Sequence, residues 1–268
     1  MSEKRFPNEQ LLAGSEWLQT HLDDPNVRVV EVTPLGAGYV LGHIRGAVFL
    51  NLNDIFNGGE NGLTHLVGPL DAVAEKLGSL GLSPDKHVIV YDEMGGARAA
   101  QAFWLLEYLG FPNVSILEGG VERWMAEGRR QTRLKPAITP VAFSPEARGE
   151  HAAGADWIAA RLGKGGVRLL DCRTSDEYHE GHIPGAQNRN WEETLALGAY
   201  RGFRPAAELR AEFDALGASA DKEIVTYCGS GQRSAHTYLA LRLLGYERVR
   251  NYNGSWLEWS ARADLSKA

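Results

Sequence analysis

The chain is predicted to fold as two tandem α/β domains, each a parallel sheet with helices on both faces. Three observations predict this. An internal repeat spans about half of the 268 residues. Short apolar runs alternate with helical patterns inside each copy. A proline-spaced polar segment separates the copies.

The repeat is carried by four landmarks in the same order. Val29-Val-Glu-Val32 matches Leu169-Leu-Asp-Cys172, and Gly42-His-Ile-Arg-Gly-Ala47 matches Gly181-His-Ile-Pro-Gly-Ala186. Val88-Ile-Val-Tyr-Asp92, a glycine-containing loop to Arg98 and an apolar run to Leu109-Gly110 match Ile224-Val-Thr-Tyr-Cys228, a loop to Arg233 and a run to Leu244-Gly245. Glu118-Gly119 with Trp124 matches Asn253-Gly254 with Trp259. Solenoid units run roughly 20 to 50 residues, so a longer period points to duplicated domains. Pro136, Pro140 and Pro145 in a polar stretch read as a linker over 131–150, between an N-terminal domain (1–130) and a C-terminal one (151–268).

In the second copy, Val167–Asp171 and Glu223–Tyr227 read as buried strands. Ala206–Leu216 and Ser234–Leu244 read as amphipathic helices, with Leu239, Ala240 and Leu243 on one face. Strands alternating with helices imply a parallel sheet covered on both sides. Sites in such sheets lie at the carboxyl ends of the strands, where Asp171-Cys172 and Cys228 stand.

Composition narrows the function. Hydrophobic residues make up 44% and charged residues 23%, as in ordinary globular chains. No apolar run approaches the about 18 residues of a membrane span, and Met1 to Gln10 lack the apolar core of a secretion signal, so no membrane partner is expected. A net charge of −6 without a long basic cluster argues against nucleic acid. Two cysteines, Cys172 and Cys228, make no disulfide scaffold and no zinc motif. No metal is expected, and a reducing compartment, the cytoplasm, fits.

Tyr227-Cys228-Gly-Ser-Gly-Gln-Arg233-Ser234 joins a strand to a helix. Gly229 and Gly231 allow successive N–H groups to turn inward as an anion nest. The helix N-terminus and Arg233 add positive potential. All three favour a thiolate, and hence a thiol pKa below the ordinary one, at Cys228. A glycine-rich loop alone reads as a tight packing turn; the cysteine at the strand end and the closing arginine together make it a nucleophile site. Cysteine phosphatases and arsenate reductases share the type of loop, but phosphatases use Cys-x5-Arg, a ring wide enough for phosphate. The Cys-x4-Arg spacing here suits a single extra sulfur.

Leu170-Asp-Cys-Arg173, Glu177-Tyr178, Gly181-His-Ile-Pro-Gly-Ala186 and the Cys228 loop together resemble the two-domain rhodanese family, from about Leu11 to Trp259. The resemblance implies a sulfurtransferase without cofactor. Cys228 attacks the sulfur of a donor, becomes a persulfide, and passes the sulfur to a thiophilic acceptor such as cyanide or a thiol, thioredoxin among them. Gly229, Ser230, Gly231, Gln232 and Arg233 form the expected substrate-binding loop, with Arg173 and Arg189 as candidate anion ligands. Arg233 either binds the donor's anionic end or is braced by Glu177. Ser230 bonds substrate or its own backbone. Asp171 is expected to anchor backbone, His182 to be a structural hydrogen-bonder, and Cys172 to pack in the domain or, if close, to trap Cys228 as a disulfide. Asp92 replaces the nucleophile in the first copy, which is then catalytically silent and covers the active loop.

The loop ending Gln232-Arg233-Ser234 resembles bacterial thiosulfate sulfurtransferases, whereas its start, Cys228-Gly-Ser-Gly231, resembles 3-mercaptopyruvate sulfurtransferases. Many two-domain members carry arginine at the Glu177 position for the substrate's anionic group. Thiosulfate is therefore the expected donor, mercaptopyruvate the alternative. A non-catalytic binding module is the rival of another class, opposed by the intact Cys228 and Arg233.

Overall fold

The computed structural model describes residues 5–33, 36–57, 66–93 and 95–268. Met94, in the first copy's glycine-containing loop, lies outside the described residues. The chain divides into two compact units. One comprises Gln10–Arg148 with Leu197–Gly202; the other comprises the N-terminal stretch through Glu9, Gly149–Ala196 and Phe203–Ala268.

The first unit contains β1 (Leu12–Ala13), α1 (Ser15–His21), β2 (Val27–Glu31), α2 (Ala37–Leu41), β3 (Val48–Phe49), α3 (Leu70–Ser79), β4 (His87–Tyr91), α4 (Ala97–Tyr108), β5 (Val114–Leu117) and α5 (Gly120–Ala126). Its five strands are all parallel, in the order β1-β5-β4-β2-β3. The rest of the chain supplies α6 (Ala155–Ala159), β6 (Val167–Asp171), α7 (Ser175–His179), β7 (Gln187–Asn188), β8 (Leu195–Ala196), β9 (Gly202–Phe203), α8 (Ala206–Ala215), β10 (Glu223–Tyr227), α9 (Gln232–Leu243), β11 (Val249–Asn251) and α10 (Ser255–Ala261). The parallel sheet of the second unit has the order β11-β10-β6-β7. Beside it, β8 and β9 form a two-stranded ribbon.

The two expected strands match β6 and β10, because their apolar runs are buried on both faces as a parallel sheet demands. On one face Leu169, Val225 and Tyr227 pack with Ile158, Ile183, Tyr252 and Trp259. Side chains alternate along a strand, so Leu170 and Thr226 face the other way. There α9 lies on β10 and β11, with Ser234 bonded to Asn251 (2.6 Å) and Asn251 beside Thr226.

Two expectations differ from the structure. The α9 helix is buried on nearly all sides and not along one stripe: Ser234 to Leu241 are all buried. Part of its cover is the N-terminal stretch, whose Asn8 N–H and Nδ2 donate to the Leu243 and Arg242 carbonyls (3.1 and 2.7 Å), satisfying orphan groups at the helix end. The expected linker also belongs largely to the first unit's contacts. Thr132 exchanges two backbone hydrogen bonds with His43, Val141 N–H donates to Gly78 O (3.0 Å), and Arg148 N–H donates to Tyr108 O (2.7 Å). Prolines keep this segment extended, and its remaining N–H groups tie it to the domain it leaves.

No helix among the described residues is long and apolar enough to cross a membrane. Trp259 is fully buried under β10. Replacing it with alanine is expected to cost about 3–5 kcal/mol, read as a lowered urea midpoint for the transition of the C-terminal unit.

Candidate active site

Cys228 is the first residue after β10, one step beyond the pair Tyr227–Asp171 that closes the register with β6. It is 1% exposed. The Gly231 N–H donates to its Sγ at 3.2 Å. Gly231 is the N-cap of α9 with φ 91°, a left-handed conformation that a side chain resists. A Cβ there would also lie 2.2 Å from Asn253 Oδ1.

The loop's peptide planes are turned by the element behind it. At the start of α10, Trp256 N–H donates to Cys228 O (2.9 Å) and Leu257 N–H to Gly229 O (3.1 Å). Ser255 Oγ accepts from the Cys228 N–H (3.1 Å) and donates to Tyr252 O (2.7 Å). Asn251 Nδ2 donates to Gly231 O (3.3 Å). With these carbonyls bound by other elements, the Gly231 N–H is the loop donor that meets the sulfur. Sequence reading missed Ser255 and Asn251; the only signal was their place at the last landmark of the repeat. Ser255 has φ 55°, the one positive φ outside glycine among the described residues.

Arg233 is braced. Its Nη1 and Nη2 donate to Glu177 Oε2 and Oε1 at 2.6 and 2.7 Å, and its charge interacts electrostatically with Cys228. A bidentate charged pair of this kind is among the stronger hydrogen-bonded contacts. Glu177 is itself held in a capping box with Thr174 at the start of α7. The Arg233 guanidinium outweighs partial burial and lowers the Glu177 carboxyl to about 2.

Asp171 does anchor backbone, accepting from the Arg173 N–H (3.1 Å), and it also binds that residue's guanidinium (2.7 Å to Nη2). Arg173 Nη2 further donates to Gly181 O (2.6 Å), and the group lies over Trp256. Arg189 donates to Glu212 (2.6 Å) and lies over the Phe213 ring. Both arginines are 3% exposed. The expected substrate ligands Arg173 and Arg189 are both held by carboxylates of the domain, and Arg189 keeps one buried nitrogen, Nη1, without a hydrogen-bond partner among the described residues. His182 donates from Nδ1 to Tyr178 O (3.1 Å) and stacks on Tyr178, a structural contact. Ser230 and Gln232 are half-buried on the loop, with no side-chain hydrogen-bond partner among the described residues.

The first copy shows what its loop does without a cysteine. Asp92 Oδ1 accepts from the Gly96 N–H (2.9 Å), and Oδ2 accepts from those of Arg98 and Ala99 (2.9 and 3.1 Å). Gly96 caps α4 with φ 92°, as Gly231 caps α9. The nest therefore forms in both copies, and in the first it is filled by the chain's own carboxylate. No group of three or more metal-ligating side chains occurs among the described residues.

This geometry agrees with the comparisons. A model of the rhodanese-like domain matches residues 15–127 and again 154–262. The chain is 36% identical to a thiosulfate sulfurtransferase of Azotobacter vinelandii over 257 residues, covering 92% of this chain and 93% of that one. It is 34% identical to the sulfur carrier protein TtuD of Thermus thermophilus, covering 95% of each. It is 32% identical to a 3-mercaptopyruvate sulfurtransferase of Escherichia coli, covering 94% and 95%. The crystal structure of the 3-mercaptopyruvate sulfurtransferase SseA from Escherichia coli superposes with a TM-score of 0.82 at 28% identity, covering 92% of this chain and 98% of that one.

Two outcomes are expected. Asp92→Ala leaves three N–H groups without their acceptor and should destabilise the N-terminal unit by about 1–3 kcal/mol, measured by urea unfolding. The Glu177 carboxyl titrates below its ordinary 4.5, so the brace is intact above that pH and is lost as pH falls toward about 2. Glu177→Gln should lower sulfur transfer about tenfold at neutral pH and flatten the loss of fold stability between pH 4.5 and 2, followed by circular dichroism.

Proposed function

The chain belongs to the rhodanese family and is a sulfurtransferase of the thiosulfate or 3-mercaptopyruvate type; from that premise we propose that thiosulfate is its donor and that Cys228 carries the sulfur. The observation that supports this best is the loop itself, with Gly231 N–H on the Cys228 sulfur and Arg233 locked by Glu177.

The cycle has two displacements. The Cys228 thiolate attacks the outer sulfur of thiosulfate, the S–S bond of the donor breaks, and sulfite leaves with the electron pair. The persulfide's terminal sulfur is an anion, and the inward N–H groups stabilise it as preorganised dipoles. An acceptor nucleophile then attacks that sulfur and returns the Cys228 thiolate. Cyanide, leaving as thiocyanate, is the assay acceptor. Thiols, thioredoxin among them, are the physiological class proposed, which sets the reaction in a reducing compartment such as the cytoplasm. The cycle needs no metal or organic cofactor. Ser230 and Gln232, with free polar ends beside the loop, are the proposed contacts to the donor's sulfonate.

The choice of donor rests on position 177. A carboxylate spent on Arg233 leaves no cation there for a keto-acid carboxylate. Relatives of both types resemble the chain to similar degrees, so the donor is decided by assay. Purified protein is expected to form thiocyanate from thiosulfate and cyanide faster than from mercaptopyruvate and cyanide. Cys228→Ser should lose the activity by about 10³-fold or more. Faster turnover of mercaptopyruvate would keep the mechanism and replace the donor. Activity that survives Cys228→Ser would remove the persulfide from the scheme.

A further inference from the structure

Cys172 and Cys228 are adjacent at the ends of neighbouring strands. The β6–β10 register pairs Leu170 with Thr226 and Asp171 with Tyr227. It runs one step further through Cys172 N–H to Tyr227 O at 2.8 Å. Neighbouring strands lie about 4.8 Å apart, inside the Cα span of about 4.4–6.8 Å that a disulfide accepts. Leu169 and Tyr227 pack into the core on one face of the sheet, the face that alternation also gives Asp171. Alternation sends the two cysteines together to the other face. The Cys172 thiol donates to Leu170 O (3.6 Å) and interacts electrostatically with Cys228 and Arg189.

Cys172 is fully buried. With none of its surface at solvent, Cys172 is placed to react with an electrophile that forms beside it, at Cys228. Both cysteines are free thiols in this structure. Resting on the persulfide reading above, the pair has one reaction available that the transfer cycle does not use.

We propose that Cys172 is a resolving thiol that converts the Cys228 persulfide, when no acceptor arrives, into hydrosulfide and a Cys172–Cys228 disulfide. The Cys172 sulfur attacks Cys228 Sγ, and the bond from Sγ to the outer sulfur breaks. The outer sulfur leaves with the electron pair, takes the Cys172 proton and departs as hydrosulfide. The two cysteines are oxidised by two electrons and the sulfane sulfur is reduced by two. The oxidising equivalent was delivered by the donor, so no further oxidant enters. Burial holds the Cys172 thiol well above its ordinary pKa, which keeps it protonated until the outer sulfur anion is there to take the proton. The chain thereby gains a second output, hydrosulfide, and a resting state that a dithiol reductant reopens.

The test is a single-turnover reaction of the full chain under inert gas, without cyanide or thiol. Thiosulfate and mercaptopyruvate are run separately, and sulfite or pyruvate counts the sulfur loaded. The gas stream carries hydrogen sulfide into zinc acetate. The expected result is close to one hydrosulfide per sulfur loaded, a chain mass about 2 Da below the dithiol form, and a non-reducing peptide map joining residues 172 and 228. In Cys172→Ala the chain should instead hold a stable gain of about 32 Da, released as thiocyanate by cyanide. Should that variant fail to fold, the wild-type mass and peptide map still decide. A wild-type chain that releases sulfite or pyruvate, keeps the 32 Da and yields no hydrosulfide overturns this inference and leaves the persulfide reading standing. Absence of sulfite and pyruvate alike overturns both.

Discussion

At Gly231 the backbone turns left-handed, donates its N–H to the Cys228 sulfur and starts a twelve-residue helix. Much else in the C-terminal unit serves to hold that turn. A nucleophilic sulfur at the end of a buried strand is desolvated, and its charged form survives only if fixed dipoles replace water. The loop can supply them because its carbonyls are occupied elsewhere, by the first N–H groups of α10 and by Asn251. Arg233 adds charge without mobility, since Glu177 takes both of its terminal nitrogens. The strong interaction is thus between two supporting side chains beside the sulfur.

The duplicated fold shows two solutions to one electrostatic problem. Both copies build a nest at the same strand-to-helix turn. In the first, Asp92 fills it covalently and permanently with three N–H bonds. In the second, the Cys228 sulfur accepts the one Gly231 N–H. A parallel divergence occurs one residue earlier in the register. Glu31 pairs with Tyr91 as Asp171 pairs with Tyr227. Asp171 has Arg173 as a buried counter-charge. Glu31 hydrogen-bonds the Tyr91 hydroxyl and has no ion-pair partner among the described residues, and burial raises its carboxyl. The copy with Cys228 therefore carries a buried ion pair beside its strand end, where the first copy carries a carboxyl that burial favours in its neutral form.

Much of this was legible beforehand because it is local. Strands β6 and β10 follow from apolar runs, the tandem fold from repeated landmarks, and the brace between Arg233 and Glu177 from the family resemblance. The burial of Arg173 and Arg189 was not legible, for a physical reason. An arginine in a sequence advertises charge and says nothing of burial, and here Asp171 and Glu212 draw both groups inward. Ser255 was invisible because a serine after Asn-Gly reads as any turn serine.

By itself the sequence determined the duplication, the Cys-x4-Arg loop that follows the second copy's strand and the aspartate that stands at the same place in the first, since each depends on residue identity at short range. Tertiary structure alone decided which side chains reach the loop. Ser255 and Asn251 arrive from β11 and its following turn, some 20 to 27 residues beyond it. Cys172 comes to Cys228 across 56 residues through the parallel register of two strands. Such pairings depend on strand order and crossover, which no local pattern encodes, because a parallel sheet joins segments that only packing brings side by side.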